Sequence, residues 1–370
     1  MFVRPLHHRL ATYRTHHHHT YIQRTMMSFS TTADDDTSTT TVAVICPPDS
    51  PCLNAAPKNI PHTRLLIHND MESFQRDPHF ADVSAIMFVA LGGNVSLLPQ
   101  IFDAAEEAPK KIKWVHSLFA GVDALAPFIK SHLLQKKHQH VPLTNGRGAF
   151  SESLAEYVMT AALHFNKQIS RVQQNRIART WDKFVMPTLA GKTIGFVGFG
   201  HIGQTTARLA RQFGMKVVCV RNDKTKQTEL ADTVYGNEEK EALLAESDFV
   251  VSVLPGTPQT LDYFGSDEFA MMKPSGVFIS IGRGTVVDED ALANALMKGQ
   301  ISGAALDVFK VEPLPTESPL WDCENLLLTA HNADLTEDYF ELGWKVWEKN
   351  LEAIRQGESP ITLVDKNKGY

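Results

Sequence analysis

The sequence predicts an α/β protein built from two doubly wound parallel-sheet domains, and three observations lead there. Short apolar runs alternate with helical patterns from residue 42 onward, an order that lays strands in parallel with crossover helices on both faces of a sheet. A chain of 370 residues is about two domains long at roughly 150 residues each. A glycine-rich turn at Gly198, Gly200 and Gly203 stands between a strand pattern and a helical one in the second half of the chain.

Residues 1–41 are expected to be a disordered leader. The first 30 residues carry Arg4, Arg9, Arg14 and Arg24 and no acid, and the polar run 28–41 follows. That composition fits an organelle transit peptide bound for the mitochondrion, and a start at Met26 or Met27 would give a cytoplasmic form. The first folded unit, 42–149, is expected to hold strands at 42–46, 65–67, 85–89 and 112–116 and a helix at 95–105. Ser153 and Glu156 then have capping-box spacing. The stripe Leu154, Val158, Ala161 and Ala162 predicts a helix face buried between domains or subunits. The second unit, 150–330, opens on a strand at 193–197, a helix at 204–213 stopped by Gly214, and a strand at 216–220. Strands at 249–254, 277–281, 303–306 and 326–329 continue the alternation.

Composition excludes several classes. Hydrophobic residues at 43% and charged residues at 21% are ordinary for a globular chain. A formal charge of -6 gives no basic excess for nucleic acid. The longest apolar run, 85–91, is far short of the roughly 18 residues a membrane-spanning helix needs. Cys46, Cys52, Cys219 and Cys323 are too sparse for a disulfide scaffold and show no close metal-type pair, which predicts a reducing compartment and no metal. His138 and His140 sit in a Lys- and Gln-rich stretch that reads as solvated.

The turn Gly198-Phe199-Gly200-His201-Ile202-Gly203 fits G-x-G-x-x-G in its required strand–helix setting. Glycines there let backbone approach a pyrophosphate, and the helix start offers unpaired amides near His201 and Ile202. A dinucleotide is therefore expected. About 20 residues on, where an acid would accept a ribose 2'-hydroxyl, the chain reads Val220-Arg221-Asn222-Asp223. A guanidinium binds a 2'-phosphate by charge-assisted hydrogen bonds, so Arg221 predicts NADP, with Lys224 and Lys226 as helpers. In the alternative, Asp223 takes the ribose and the cofactor is NAD.

Several further motifs occur in a fixed order: Phe119-Ala120-Gly121-Val122-Asp123, Thr144-Asn145-Gly146-Arg147-Gly148, Leu254-Pro255-Gly256-Thr257-Pro258, Gly282-Arg283-Gly284, Leu306-Asp307-Val308-Phe309 with Glu312-Pro313, and His331. With the glycine turn they make the chain resemble the D-isomer-specific 2-hydroxyacid dehydrogenase family, especially its glyoxylate and hydroxypyruvate reductases. The resemblance is clear over 81–370, weak over 42–80, and does not reach 1–41. It implies a discontinuous, flavodoxin-like substrate domain formed from 42–149 and 331–370, a Rossmann domain over 150–330, and a homodimer.

The resemblance implies a catalytic set of Arg283, Glu312 and His331. Reducing a 2-oxo acid needs hydride at the carbonyl carbon and a proton at its oxygen, and histidine is a suitable acid. A carboxylate at Glu312 would stabilise the imidazolium and orient the ring. Arg283 would clamp the substrate carboxylate with a planar fork of donors, opposite backbone at Ala120 and Gly121. Leu254, Thr260, Ile281 and Asp307 are implied at the cofactor, Asp307 accepting from the carboxamide. The pattern departs from the family at Ala330, Asn332 and Asp334, and an acid beside an anionic substrate puts substrate identity in doubt. The expected activity is NADPH-preferring reduction of glyoxylate or hydroxypyruvate to a D-2-hydroxy acid, with the proton from His331. The alternatives are a dinucleotide-sensing corepressor-like binding protein and an NAD-dependent dehydrogenase of another 2-hydroxy acid.

Overall fold

The computed structural model describes residues 39–107 and 111–370; the transit-peptide reading of the leader lies almost wholly outside the described residues. Among the described residues twelve strands pair in parallel, in two sheets. Parallel sheets are covered on both faces, so their strands read as continuous apolar runs rather than alternating ones.

The first sheet comprises β1 (Thr40–Ile45), β2 (Thr63–His68), β3 (Val83–Phe88), β4 (Trp114–Ser117) and β5 (Leu143–Asn145), in the order β2-β1-β3-β4-β5. β1 begins two residues before the expected Val42, and β5 was not anticipated because three residues carry too little pattern. One face packs Ile45, Ile86 and Val115 against Phe74 of α1 (Met71–Arg76), Phe102 of α2 (Leu97–Glu107) and Phe128 of the short turn α3 (Ala126–Phe128).

Next come α4 (Ser151–Asn166) and α5 (Ile169–Ala178), then the second sheet: β6 (Thr193–Val197), β7 (Lys216–Val220), β8 (Thr233–Tyr235), β9 (Phe249–Ser252), β10 (Val277–Ser280), β11 (Gly303–Leu306) and β12 (Leu326–Leu328). Its order is β12-β11-β10-β9-β6-β7-β8, so strand order reverses between β6 and β9, the place where doubly wound sheets bind ligands. Helices α6 (His201–Gln212), α7 (Lys240–Glu246), α8 (Ser266–Met271) and α9 (Glu289–Met297) cross between strands. The last helix, α10 (Tyr339–Arg355), lays Trp344, Trp347 and Leu351 on the other face of the first sheet, with Trp347 stacked on Trp114 at 5.9 Å.

Three expectations are corrected. α4 starts at Ser151, and the Ser153 hydroxyl, already inside its first turn, donates to the Phe150 carbonyl instead of capping. The stripe Leu154, Val158, Ala161 and Ala162 is buried within the second unit's core, beside Ala207 and Ala210 of α6. His138 is buried rather than solvated, with Nε2 3.2 Å from Glu106 Oε2, a contact that holds the Glu106 carboxyl below its usual range. His140 is exposed as expected. The Cys46 and Cys52 sulfurs, six residues apart in sequence, lie 3.4 Å apart as buried free thiols. Among the described residues no His, Cys, Asp and Glu cluster could hold a metal, and no helix is long and apolar enough to cross a membrane.

Candidate active site

The glycine turn leaves β6 at the reversal point. Gly198 has φ +91°, and a Cβ there would stand 3.0 Å from the Val253 carbonyl oxygen, so only glycine fits without strain. The Gln204 amide closes the first turn of α6 on Gly200 O at 3.0 Å. The amides of His201, Ile202 and Gly203 therefore precede any intrahelical acceptor. A Cβ on Gly200 would meet no protein atom within 4 Å, which leaves open space above these amides. Backbone of this shape fits a dinucleotide pyrophosphate.

Arg221 follows β7, with its guanidinium carbon 5.9 Å from the Phe199 ring and Nη1 donating to Lys226 O at 2.7 Å. Asp223 is committed to its own turn. It accepts from the Thr225 hydroxyl (2.6 Å) and amide (3.1 Å), bonds that hold its carboxyl below the usual range. Lys224 is held by Glu238 and Glu239 at 3.1 and 3.2 Å instead of standing free beside Arg221, and Lys226 lies 4.0 Å from Asp223.

Other residues assigned to the cofactor lie along the same strand ends. Ile281 closes β10, its amide donating to Ser252 O at 3.2 Å, and Leu254 flanks Gly198. The Thr260 hydroxyl is spent within its own loop, donating to Pro255 O (2.6 Å) and accepting from the Thr257 amide (2.9 Å). Asp307 is 1% exposed, and its carboxylate accepts from Thr329 Oγ1 (2.6 Å), the Asn332 amide (3.1 Å) and the Ala333 amide (3.2 Å). Its carbonyl accepts from the His331 amide at 2.8 Å. Asp307 thus anchors the loop that carries His331, whose φ of +51° is a left-handed conformation that needs such support.

Glu312 is pinned at both oxygens: Oε1 accepts from the Phe309 amide at 2.9 Å and Oε2 lies 2.7 Å from His331 Nδ1. That leaves Nε2 as the free nitrogen of the ring. Arg283 leaves the end of β10 and meets Asp123 of the first unit, with Nε and Nη2 each 3.1 Å from Oδ2, while Nη1 donates to Gly282 O at 2.9 Å. Its guanidinium lies so close to Gly121 that a Cβ there would collide with Nη2. Gly284 is more tightly constrained, since its Cβ would strike backbone, the Phe309 carbonyl carbon.

Asp334 stands in the same neighbourhood. Burial pushes its carboxyl up, and the nearby His331 and Arg283 charges pull it down. Tyr339 stacks on Phe119 (5.3 Å) and Phe150 (4.5 Å), and burial together with Asp334 raises its phenol. The sequence motifs assign no role to Asp123 or Asn145, whose partners Arg283 and Ala120 come from the long-range contacts of the fold.

From the glycine turn to the His331–Glu312 pair, the row of strand ends is that of an NAD(P)-dependent oxidoreductase with two doubly wound domains. Residues 159–333 match the family described as D-isomer specific 2-hydroxyacid dehydrogenase, NAD binding domain. The chain is 33% identical to a glyoxylate reductase of Thermococcus litoralis over 273 residues, 71% of this chain and 79% of that protein. An NADPH-dependent glyoxylate/hydroxypyruvate reductase of Sinorhizobium meliloti, solved with NADP and sulfate, superposes with a TM-score of 0.73 at 26% identity, covering 90% of this chain and 100% of that one. A D-isomer specific 2-hydroxyacid dehydrogenase of Xanthobacter autotrophicus, solved with NADPH and MES, gives 0.75 at 26% identity, covering 90% and 100%. The chain belongs to the D-isomer-specific 2-hydroxyacid dehydrogenase family, and it is an oxidoreductase acting on the CH–OH group of its donor.

Proposed function

We propose that the enzyme reduces glyoxylate or hydroxypyruvate to the corresponding D-2-hydroxy acid and prefers NADPH. The observation that carries this reading is the convergence of Arg283 on Gly121 while the His331–Glu312 pair stands at a neighbouring strand end. The reduced nicotinamide, when bound, supplies a hydride to the carbonyl carbon. Arg283 exchanges its Asp123 partner for the substrate carboxylate, which it clamps together with backbone amides at Ala120 and Gly121. His331, held through Nδ1 by Glu312, gives its proton from Nε2 to the carbonyl oxygen. Small acids suit a site in which Asp334 and Tyr339, the latter stacked on Phe119, both lie near enough to feel the Arg283 charge.

Arg221 supports the NADPH preference, since the competing acid Asp223 is bound to Thr225. A homodimer is part of the proposal. Ile177, Trp181 and Val185 form an exposed apolar segment at the end of α5 and beyond it, with Trp181 90% exposed, a patch of the kind association covers.

Initial rates with NADPH and NADH across glyoxylate, hydroxypyruvate, pyruvate and a longer 2-oxo acid test the reading. Fastest NADPH-dependent turnover of the two smallest acids supports it; an NADH preference overturns the cofactor part, and no turnover of any acid overturns the whole. His331→Ala is expected to lower kcat by about 10²–10⁴-fold with NADPH affinity retained, measured by fluorescence titration.

A further inference from the structure

We infer that Asn145 is a positioning residue for the substrate carboxylate, because it fixes the Ala120–Gly121 peptide with its amide facing away from the protein and toward the site. The inference rests on the proposed reading of this loop as the carboxylate site. In the loop after β4, three successive carbonyls are committed to the protein interior. Phe119 O accepts from the Gly146 amide at 3.1 Å, Ala120 O from Asn145 Nδ2 at 2.6 Å, and Gly121 O from the Ser117 hydroxyl at 3.3 Å.

A trans peptide points its C=O and N–H in opposite directions. Holding those three carbonyls inward therefore sends the amides of Ala120, Gly121 and Val122 outward. Among the described residues nothing accepts from these amides. Consecutive outward amides form a concave nest for an anion, and here the nest has the Arg283 guanidinium against Gly121. In the structure the Asp123 carboxylate takes the guanidinium there, with Nε and Nη2 each 3.1 Å from Oδ2, and a substrate carboxylate exchanges with it to gain both the guanidinium and the outward amides.

The weak point of such a nest is its glycine. Without a Cβ, Gly121 offers little steric resistance to rotation of the peptide before it. A rotated peptide would turn the Ala120 carbonyl toward the carboxylate and repel it. The Asn145 bond opposes that rotation, and Asn145 is itself rigidly held. It is 3% exposed, Oδ1 accepts from the Arg147 amide at 3.3 Å, and its backbone oxygen accepts from the Thr362 hydroxyl at 2.6 Å. Asn350 in turn donates to Thr362 Oγ1 at 2.8 Å. The aim of the nest is thereby wired to α10, which also covers the first sheet.

Asn145 is buried and its side chain is spent on the Ala120 carbonyl and the Arg147 amide, so its loss should be felt through the carboxylate alone. In Asn145→Ala we expect KM for the 2-oxo acid and Ki for oxamate, a carboxylate probe, to rise together by about tenfold, near the effect of one hydrogen bond. KM for NADPH should stay unchanged and kcat at saturation should be largely kept. Asn145→Asp preserves size but sets an acceptor against the Ala120 carbonyl, so both constants should rise further. Should either Asn145 variant fail to fold, Ser117→Ala removes the 3.3 Å tie to Gly121 and should give a smaller rise in the same two constants. Unchanged oxamate Ki in the folded variants overturns the positioning role, and so does a loss shared equally with NADPH. A wild type that turns over no 2-oxo acid and binds no oxamate instead overturns the reading of the site on which the inference depends.

Discussion

The loop after β4 and the turn after β6 both direct unpaired backbone amides outward, but they do so by unlike means. At Gly198–Gly203 the amides are unpaired because a helix begins there, and any helix start leaves its first amides without partners. Nothing beyond the local sequence is required. Ala120 and Gly121 precede the 3-10 turn at Asp123–Leu125, and each outward amide there depends on a carbonyl tied back by Gly146, Asn145 or Ser117. The first device survives changes elsewhere in the chain. The second depends on contacts between β4, β5 and the segment after α10.

The largest expected effect strikes the second device. In Gly121→Ala the new methyl collides with Arg283 Nη2 and displaces the guanidinium from the nest. We expect kcat/KM for the 2-oxo acid to fall by about 10²–10³-fold, the size of losing a preorganised donor, with NADPH binding preserved in a fluorescence titration. An equal fall in NADPH affinity would show that the two turns are not independent and would break the comparison.

The same contrast explains what could be read from the sequence. Most strands were legible to within a few residues because buried parallel strands are continuous apolar runs. β5 and β8, three residues each, were not. The glycine turn was legible because its motif and setting are contiguous. Arg283, Glu312 and His331 were found through resemblance, and the structure joins His331 to Glu312 at 2.7 Å. Asp123 and Asn145 escaped because their partners lie 160 and 25 residues away, and spacing of that kind has no periodic signature. The resemblance assigns Asp307 to the cofactor, and its hold on Asn332 and Ala333 was not legible.

Two changes on the dinucleotide side, at Arg221 after β7 and at Gly198 in the first device, should leave the second device untouched. Arg221→Asp replaces the donor proposed for a 2'-phosphate with a repelling charge. A hydrogen bond to a charged group contributes about 1.5–3 kcal/mol, so the NADPH-to-NADH ratio of kcat/KM should fall by roughly 10–100-fold with oxamate Ki unchanged. A ratio that does not move would remove Arg221 from the cofactor site. Gly198→Ala forces a left-handed φ of +91° on a side chain whose Cβ would stand 3.0 Å from Val253 O. Such strain costs on the order of 1–3 kcal/mol, and we expect a lower Tm with weaker NADPH binding. An unaltered Tm would mean that the turn relaxes more freely than its contacts imply.

The smallest effect concerns Asp334, which lies close to Arg283 and His331 and whose carboxyl is raised chiefly by burial. A carboxyl raised in the folded state binds more protons there than in the unfolded chain, so stability declines as pH climbs from the usual carboxylate range through the raised value. Above that window the folded protein holds a poorly solvated charge. Asp334→Asn keeps the shape and removes the titration, so Tm measured between pH 4 and 8 should decline less with rising pH than in the wild type. The gain at neutral pH should be no more than about 2–4 °C, the shift that about 1 kcal/mol produces in a domain of 150–250 residues. The same variant sharpens the comparison between the turns: removing a negative charge near Arg283 should lower KM for the anionic 2-oxo acid and leave KM for NADPH in place. A Tm curve identical to the wild type would mean that Asp334 is solvated in solution, and its charge would then be too well screened to govern the choice of substrate.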